Sequence, residues 1–163
     1  MKLFAAAALA LAPALALAAP QTASAQQFLP NRIITNFDEP TLVTMAAELG
    51  AQVRTGLQGE QKVFIVTFSG GATMLAYRTA CDDADVCTGL RLIGLFEKPA
   101  SMSDADLDAT IDRLNRSTPQ AKFYRTEEGK PVAERFVIAN QGVTLGNLRA
   151  QFATFRAGMV AMG

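Results

Sequence analysis

The first 25 residues constrain this chain most, because they decide where it folds. A positive start at Lys2 is followed by an alanine- and leucine-rich run over residues 3–19, and Ala23 and Ala25 suit the small −3 and −1 positions of a cleavage site. This pattern predicts a cleaved secretory signal peptide over residues 1–25. Its removal from the 163-residue chain leaves 138 residues, enough for one domain that folds in an oxidising compartment.

The alternative for this leader is an uncleaved membrane anchor. We favour cleavage, because Pro13 interrupts the apolar run and the cleavage motif follows directly. No cysteine stands at the cleavage point to carry a lipid, and beyond residue 25 no apolar stretch approaches the roughly 18 residues of a spanning helix. We therefore expect a bacterial protein that is periplasmic or secreted and is not inserted in a membrane after cleavage.

The charge balance argues against nucleic acid and anionic lipid as partners. The chain has 15 basic and 15 acidic residues, and loss of Lys2 with the signal leaves 14 against 15. Lysine and arginine are spread singly between Arg32 and Arg156, so no basic cluster compensates for the small net charge. We expect neither class of partner.

Apolar patterning predicts a single domain over residues 38–163, preceded by a leader over residues 26–37 that is flexible or only locally docked. Asp38, Ser103 and Thr144 are placed to cap the amino termini of three helices. The residues that these helices are expected to bury are Leu42, Val43, Met45, Ala46, Leu49, Leu107, Ile111, Leu114, Leu145, Leu148, Phe152, Phe155 and Met159.

Alternating apolar residues and turn-forming glycines predict strands between these helices. The expected strands cover residues 62–68, 73–79, 88–97, 121–126 and 132–139, and residues 51–56 are a candidate for a further, short strand. Strand 88–97 carries apolar side chains on both faces, so it should lie near the middle of the sheet. Tight glycine turns make successive strands antiparallel. The sequence therefore predicts an α+β fold in which helices cover one face of an antiparallel sheet of about five strands, in the order α-β-β-β-α-β-β-α.

Cys81 and Cys87 bracket an acidic turn that contains Asp82, Asp83 and Asp85. In an oxidising compartment the two thiols are expected to form a disulfide that closes a small loop. A redox-active pair is less favoured, because five residues separate the cysteines and the carboxylates oppose a thiolate; two free thiols are the remaining alternative. The loop is too short to supply the alternating oxygens and distant glutamate of a calcium loop, so we expect a solvated turn.

Several common chemistries are missing. The sequence contains no histidine, which removes the Ser-His-Asp and Cys-His arrangements and the commonest zinc and copper ligand. Its glycines match neither a nucleophile elbow nor a phosphate-binding loop, and Tyr77 and Tyr124 are too isolated for a stacking platform. Carboxylates such as Glu127 and Glu128 leave a carboxylate-only hydrolase as an alternative. Otherwise we expect no enzyme, no cofactor and no bound metal.

Residues 79–160 resemble the exported members of the YbjN domain family, whereas residues 38–78 agree with that family only in element order. The resemblance is carried by an ordered set: the acidic turn between Cys81 and Cys87, Gly89-Leu90-Arg91-Leu92, Phe96, Asn115-Arg116, Phe123-Tyr124, an acidic glycine turn and a capped final helix. This family is similar in fold to type III secretion chaperones and is described as bacterial sensory transduction regulators. The resemblance implies an antiparallel sheet with three helices, self-association as a homodimer and binding of a protein or peptide, and it carries no catalytic residues.

The absent histidine and the apolar, alternating strands favour a binding module over an enzyme. We expect a non-enzymatic periplasmic or secreted module that binds a protein or peptide. A regulatory role is one option for such a module. A different class of function, binding of a small apolar or amphiphilic ligand, stays open, because five methionines are able to line a pocket as readily as fill a core. These are Met45, Met74, Met102, Met159 and Met162.

Overall fold

The structure of the protein is a computed structural model that describes residues 27–162, so the predicted signal peptide lies outside the described residues. The helices are α1 (Glu39–Glu48), α2 (Asp104–Ser117) and α3 (Leu145–Met162). The strands are β1 (Ile33–Ile34), β2 (Ala51–Gln58), β3 (Gln61–Phe68), β4 (Thr73–Cys81), β5 (Cys87–Leu95), β6 (Lys122–Arg125), β7 (Pro131–Ile138) and β8 (Val143–Thr144). None of these three helices has the length and apolar character needed to cross a membrane.

Six strands form one antiparallel sheet in the order β2-β3-β4-β5-β7-β6. The expected α+β class is confirmed, and β5 lies inside the sheet as predicted. The sheet has one strand more than expected because β2 is a full strand that pairs with β3 along its whole length. Gly56, expected to begin a turn, lies inside β2 under the Ile65 side chain, and the chain turns at Gly59, whose φ is 60°.

All three helices pack on one face of the sheet and share a single apolar core with it. The predicted stripe of α2 is buried, and so is that of α3, whose five apolar positions are all covered. The caps also form as predicted. The Asp38 carboxylate accepts from Thr41 N at 2.8 Å, the Ser103 hydroxyl from Asp106 N at 3.1 Å, and the Thr144 hydroxyl from Asn147 N at 3.1 Å.

The segment before residue 38, expected to be flexible or only locally docked, is held by the domain. β1 pairs with β8, so Ile33 and Ile34 lie beside the start of α3. The side chains of Ile34 and Phe37 are buried in the core, and Phe37 N donates to the carbonyl of Cys87 at 2.8 Å. The packed part of the chain therefore begins several residues upstream of residue 38.

Candidate functional site

The sheet face opposite the helices, called the open face below, is covered by no helix among residues 27–162. It carries a small apolar cluster in which Val63, Tyr77, Ile93 and Val132 are buried and Leu75 and Tyr124 are partly buried. Long polar side chains from neighbouring strands shield this cluster. The Tyr77 hydroxyl donates to the Gln58 side chain, and Arg91 Nε donates to the Glu134 carboxylate. The open face is therefore an amphipathic surface, and it carries a pocket of about 350 Å³ lined by Gln58, Gln61, Tyr77, Thr79, Arg91 and Ile93.

Three ionisable groups of the open face, those of Tyr77, Tyr124 and Arg91, hold ordinary charges at neutral pH. Burial raises the pKa of the Tyr77 phenol, and the positive charge of Arg91 opposes that rise. Burial also raises the pKa of Tyr124, reinforced by its hydrogen bond to Glu134, and the hydrogen bond to Glu134 raises the pKa of Arg91. Both phenols thus stay protonated and Arg91 stays charged. This arrangement is suited to holding a surface in shape rather than to moving protons.

One edge of the sheet is incomplete because β6 is half as long as β7. β6 pairs only with Pro131–Glu134, whereas β5 pairs with β7 as far as Ile138. Ala139 N donates to the carbonyl of Thr88, so the main-chain groups of residue 139 point toward β5. Along a strand, the main-chain groups of successive residues point to opposite sides. The main-chain groups of residues 135 and 137 therefore face β5, and those of Phe136 and Ile138 face outward. Residues 135–138 are called the β7 edge below.

Exposed apolar side chains mark the same stretch. Phe136 is 58% exposed and Ile138 is 68% exposed, although both belong to a regular strand. A groove of about 630 Å³ separates the β7 edge from the segment that leads into β6. This edge groove is lined by Pro119, Gln120, Ala121, Lys122, Glu134, Arg135 and Phe136. The edge thus combines outward main-chain groups, apolar side chains and open space.

The outer side of β6 is better protected. At the outer edge of β6, the Asn115 side chain donates to the carbonyl of Phe123 at 2.9 Å and accepts from Phe123 N at 2.8 Å, as a neighbouring strand would. At the opposite edge, α1 packs beside β2 and Thr55 Oγ1 donates to Glu39 at 3.5 Å, but no strand within residues 27–162 pairs with the outer side of β2. The β7 edge is the stretch at which outward main-chain groups, exposed apolar side chains and a groove lie together.

Asn115 drew notice in the sequence only as part of the YbjN-like set, and its spacing gave no sign of this pairing. We expect Asn115→Ala to lower the free energy of unfolding by about 1–2 kcal/mol, because two hydrogen bonds to the main chain are lost. The matched control is Asp112→Ala on the exposed side of the same helix, which we expect to change stability by less than about 0.5 kcal/mol. Urea denaturation of both variants measures the difference, and equal stabilities would contradict the role given to the amide.

The structure joins Cys81 and Cys87 at the paired ends of β4 and β5, with an S–S distance of 2.09 Å. The turn between them is held internally: the Asp82 carboxylate accepts from Ala84 N and Val86 N, and Arg78 forms an ion pair with Asp85 at 2.6 Å. Asp85 lies close to both sulfur atoms, but sulfurs bonded to each other are not thiolate ligands for a metal. The carboxylates of Asp82 and Asp85 therefore stabilise the conformation of the acidic turn.

The remaining candidate residues are dispersed. Glu127 and Glu128 are exposed at the tip of the β6–β7 hairpin, where the hydroxyl of Thr126 lowers the pKa of Glu128. Met45, Met74 and Met159 are buried in the core, and Met102 and Met162 pack against it. Of these five, Met159 also lines a groove of about 550 Å³ beside Val160 at the end of α3. The structure brings neither the glutamates nor the methionines to the β7 edge.

Comparison with known proteins gives a structural match alone. No family model matches the chain, and no curated protein matches it. A chain from the solved structure titled "Structure of the HopA1-SchA Chaperone-Effector Complex" superposes with a TM-score of 0.50 at 16% sequence identity. The match covers 75% of this chain and 89% of that chain. The protein therefore has the fold of a chain found in that chaperone-effector complex.

Proposed function

We propose that this domain is a non-enzymatic module that binds an extended segment of another polypeptide by adding it as a strand along the β7 edge. The observation that carries the proposal is the edge itself. The main-chain groups of Phe136 and Ile138 point outward, and no strand of the described chain pairs with them. An added strand supplies hydrogen bonds to such groups whatever its sequence.

The side chains around the edge suit such a ligand. Phe136 and Ile138 share the open face, so they would contact alternate side chains of the added strand. The Arg91 guanidinium lies 5.9 Å from the centre of the Phe136 ring and holds that ring at the border of the apolar cluster. Apolar contacts would therefore determine which side chains are preferred in the ligand, and main-chain hydrogen bonds would supply much of the affinity.

The structural match supports a polypeptide ligand, because the matched chain belongs to a complex between proteins. We also propose the finer identity that the sequence suggests. The chain would be an exported member of the YbjN family, cleaved after residue 25 and working as a single domain in the periplasm or outside the cell in a regulatory role. The ordered set over residues 79–160 and the composition of residues 1–25 support this assignment.

A proline at position 136 tests the mode of binding. Phe136→Pro removes an outward N–H and no bond of the ladder with β5, so the fold should survive. The probe is a fluorescein-labelled set of octapeptides in which valine, isoleucine or phenylalanine alternates with threonine. We expect fluorescence anisotropy to detect binding to the unaltered domain and a loss of about tenfold or more in affinity for Phe136→Pro.

Phe136→Ala is the matched control, because it removes the ring and keeps the N–H. We expect Phe136→Ala to bind more tightly than Phe136→Pro, and Ile138→Pro to repeat the loss at the next outward N–H. Circular dichroism verifies that each variant is folded. The proposal is wrong if no peptide binds the unaltered domain, or if Phe136→Pro binds as well as Phe136→Ala. It is equally wrong if the edge proves to hold a second copy, seen as a dimer that Phe136→Pro converts to monomer.

A further inference from the structure

We propose that the segment bound at the β7 edge is the carboxyl terminus of its protein, with the terminal carboxylate held in the edge groove between Lys122 and Arg135. The inference rests on the proposed strand addition and adds the chemical class of the ligand. Three observations carry it: the direction of β6, the short length of the edge, and the charges that line the groove.

The direction of β6 decides which end of a ligand lies in the groove. β6 runs antiparallel to β7 and begins at Lys122, beside Glu134. A ligand strand antiparallel to the β7 edge lies in line with β6 and runs the same way, so its last residue meets the start of β6. The chain of β6 blocks any continuation within the sheet. The ligand must therefore end there or leave the sheet.

The edge is also short. Its four residues span about 13 Å at the usual rise of a strand, and the chain turns away at Gln141 and Gly142, which both have positive φ. A segment of about four residues is enough to fill it. The free tail of a protein meets these limits without bending, whereas an internal segment would have to bend sharply at the groove.

The groove carries positive charge without a matching carboxylate. The Arg135 guanidinium donates to the neutral oxygens of Gln120 and Gln151, and these three hydrogen bonds leave two of its five N–H groups. Burial lowers the pKa of Arg135, and no nearby negative charge opposes that fall. Glu134, the one carboxylate among the residues that line the groove, is paired with Arg91.

Lys122 also lines the groove and adds a second cation from the open face of the sheet, whereas the Arg135 side chain lies on the helix face beside Gln151. The Lys122 ammonium lies 5.3 Å from the centre of the Tyr124 ring, and within residues 27–162 neither Lys122 nor Arg135 forms an ion pair with a carboxylate. A terminal carboxylate would complement both cations and accept the remaining N–H groups of Arg135. A parallel ligand would instead bring its terminal ammonium to the same two cations, where it would be repelled.

The experiment compares two forms of the same octapeptides, one with a free carboxyl terminus and one with a terminal amide. We expect the acid form to bind the unaltered domain about tenfold more tightly at low salt, because the amide lacks the charge. We expect Lys122→Gln to remove most of that difference. Lys130→Gln, at the far end of the same hairpin and paired with Glu97, makes the same charge change and should leave the difference intact.

The possible results separate the two proposals. If both forms bind with equal affinity, the terminal carboxylate is not recognised and this inference is wrong, while strand addition stands. If an amidated peptide with an aspartate at its last position binds as well as the free acid, the anion is a side chain and the inference is again wrong. If neither form binds, the proposed function itself fails. A tighter acid form that Lys122→Gln weakens supports the inference.

Discussion

Replacement of Phe152 by alanine is expected to lower the free energy of unfolding by about 3–5 kcal/mol. Phe152 lies on α3, is fully buried, and belongs to the core between the helices and the sheet. Removing its ring takes away apolar contacts and leaves a cavity that rigid neighbours cannot fill. A domain of this size is stable by only about 5–15 kcal/mol, so the variant should unfold at much lower urea concentration.

Phe136→Ala is the matched control, since the same chemical change is made where the ring is 58% exposed. We expect it to alter stability by less than about 1 kcal/mol, because little apolar area returns to water. Urea denaturation followed by circular dichroism measures both variants. Comparable losses would contradict the division between a core phenylalanine and a surface phenylalanine on which the proposed binding edge depends.

Loss of the disulfide is expected to cost about 2 kcal/mol in the Cys81→Ser, Cys87→Ser double variant, if loop closure in the unfolded chain is the main contribution. The added hydroxyl at position 87 is unfavourable as well, because the Cys87 side chain is buried. Urea denaturation with and without dithiothreitol is the measurement. Dithiothreitol should weaken the unaltered protein by a similar amount and leave the double variant unchanged.

The disulfide remains a prediction that thiol titration decides directly. Protein exported to the periplasm should show no thiol reactive towards Ellman's reagent after denaturation. Two reactive thiols in that material would overturn the bond. A stable double variant with a fully oxidised parent would show instead that the bond forms and contributes little.

Much of the fold could be predicted because its signals are local. The alternation of Phe64, Val66 and Phe68 places them on the helix face of β3, and the stripe of α3 needs only the helical repeat. The signals for the caps at Asp38 and Ser103 likewise lie within four residues of each helix start. Such features depend on neighbours in the chain, so a single sequence is enough to find them.

The candidate site could not be predicted, because it depends on where one strand ends beside another. Nothing in the sequence around Phe136 shows that β6 begins only at Lys122, and alternation alone assigns Phe136 to a strand without showing that its partner is missing. The pairing of Asn115 with Phe123 depends on how α2 lies against β6. Docking of Phe37 near Cys87 joins segments fifty residues apart.

The amide of Asn115 has a consequence for the behaviour of this protein at high concentration. The amide occupies the main-chain groups of Phe123 on the outer side of β6, so these groups do not pair with another molecule. The unpaired stretch of β7, residues 135–138, is shorter than the six or seven residues typical of fibril-forming segments. This stretch of β7 can bind a short segment but is too short to pair with a fibril-forming one. The strand β7 can therefore bind a peptide without making the protein prone to form fibrils.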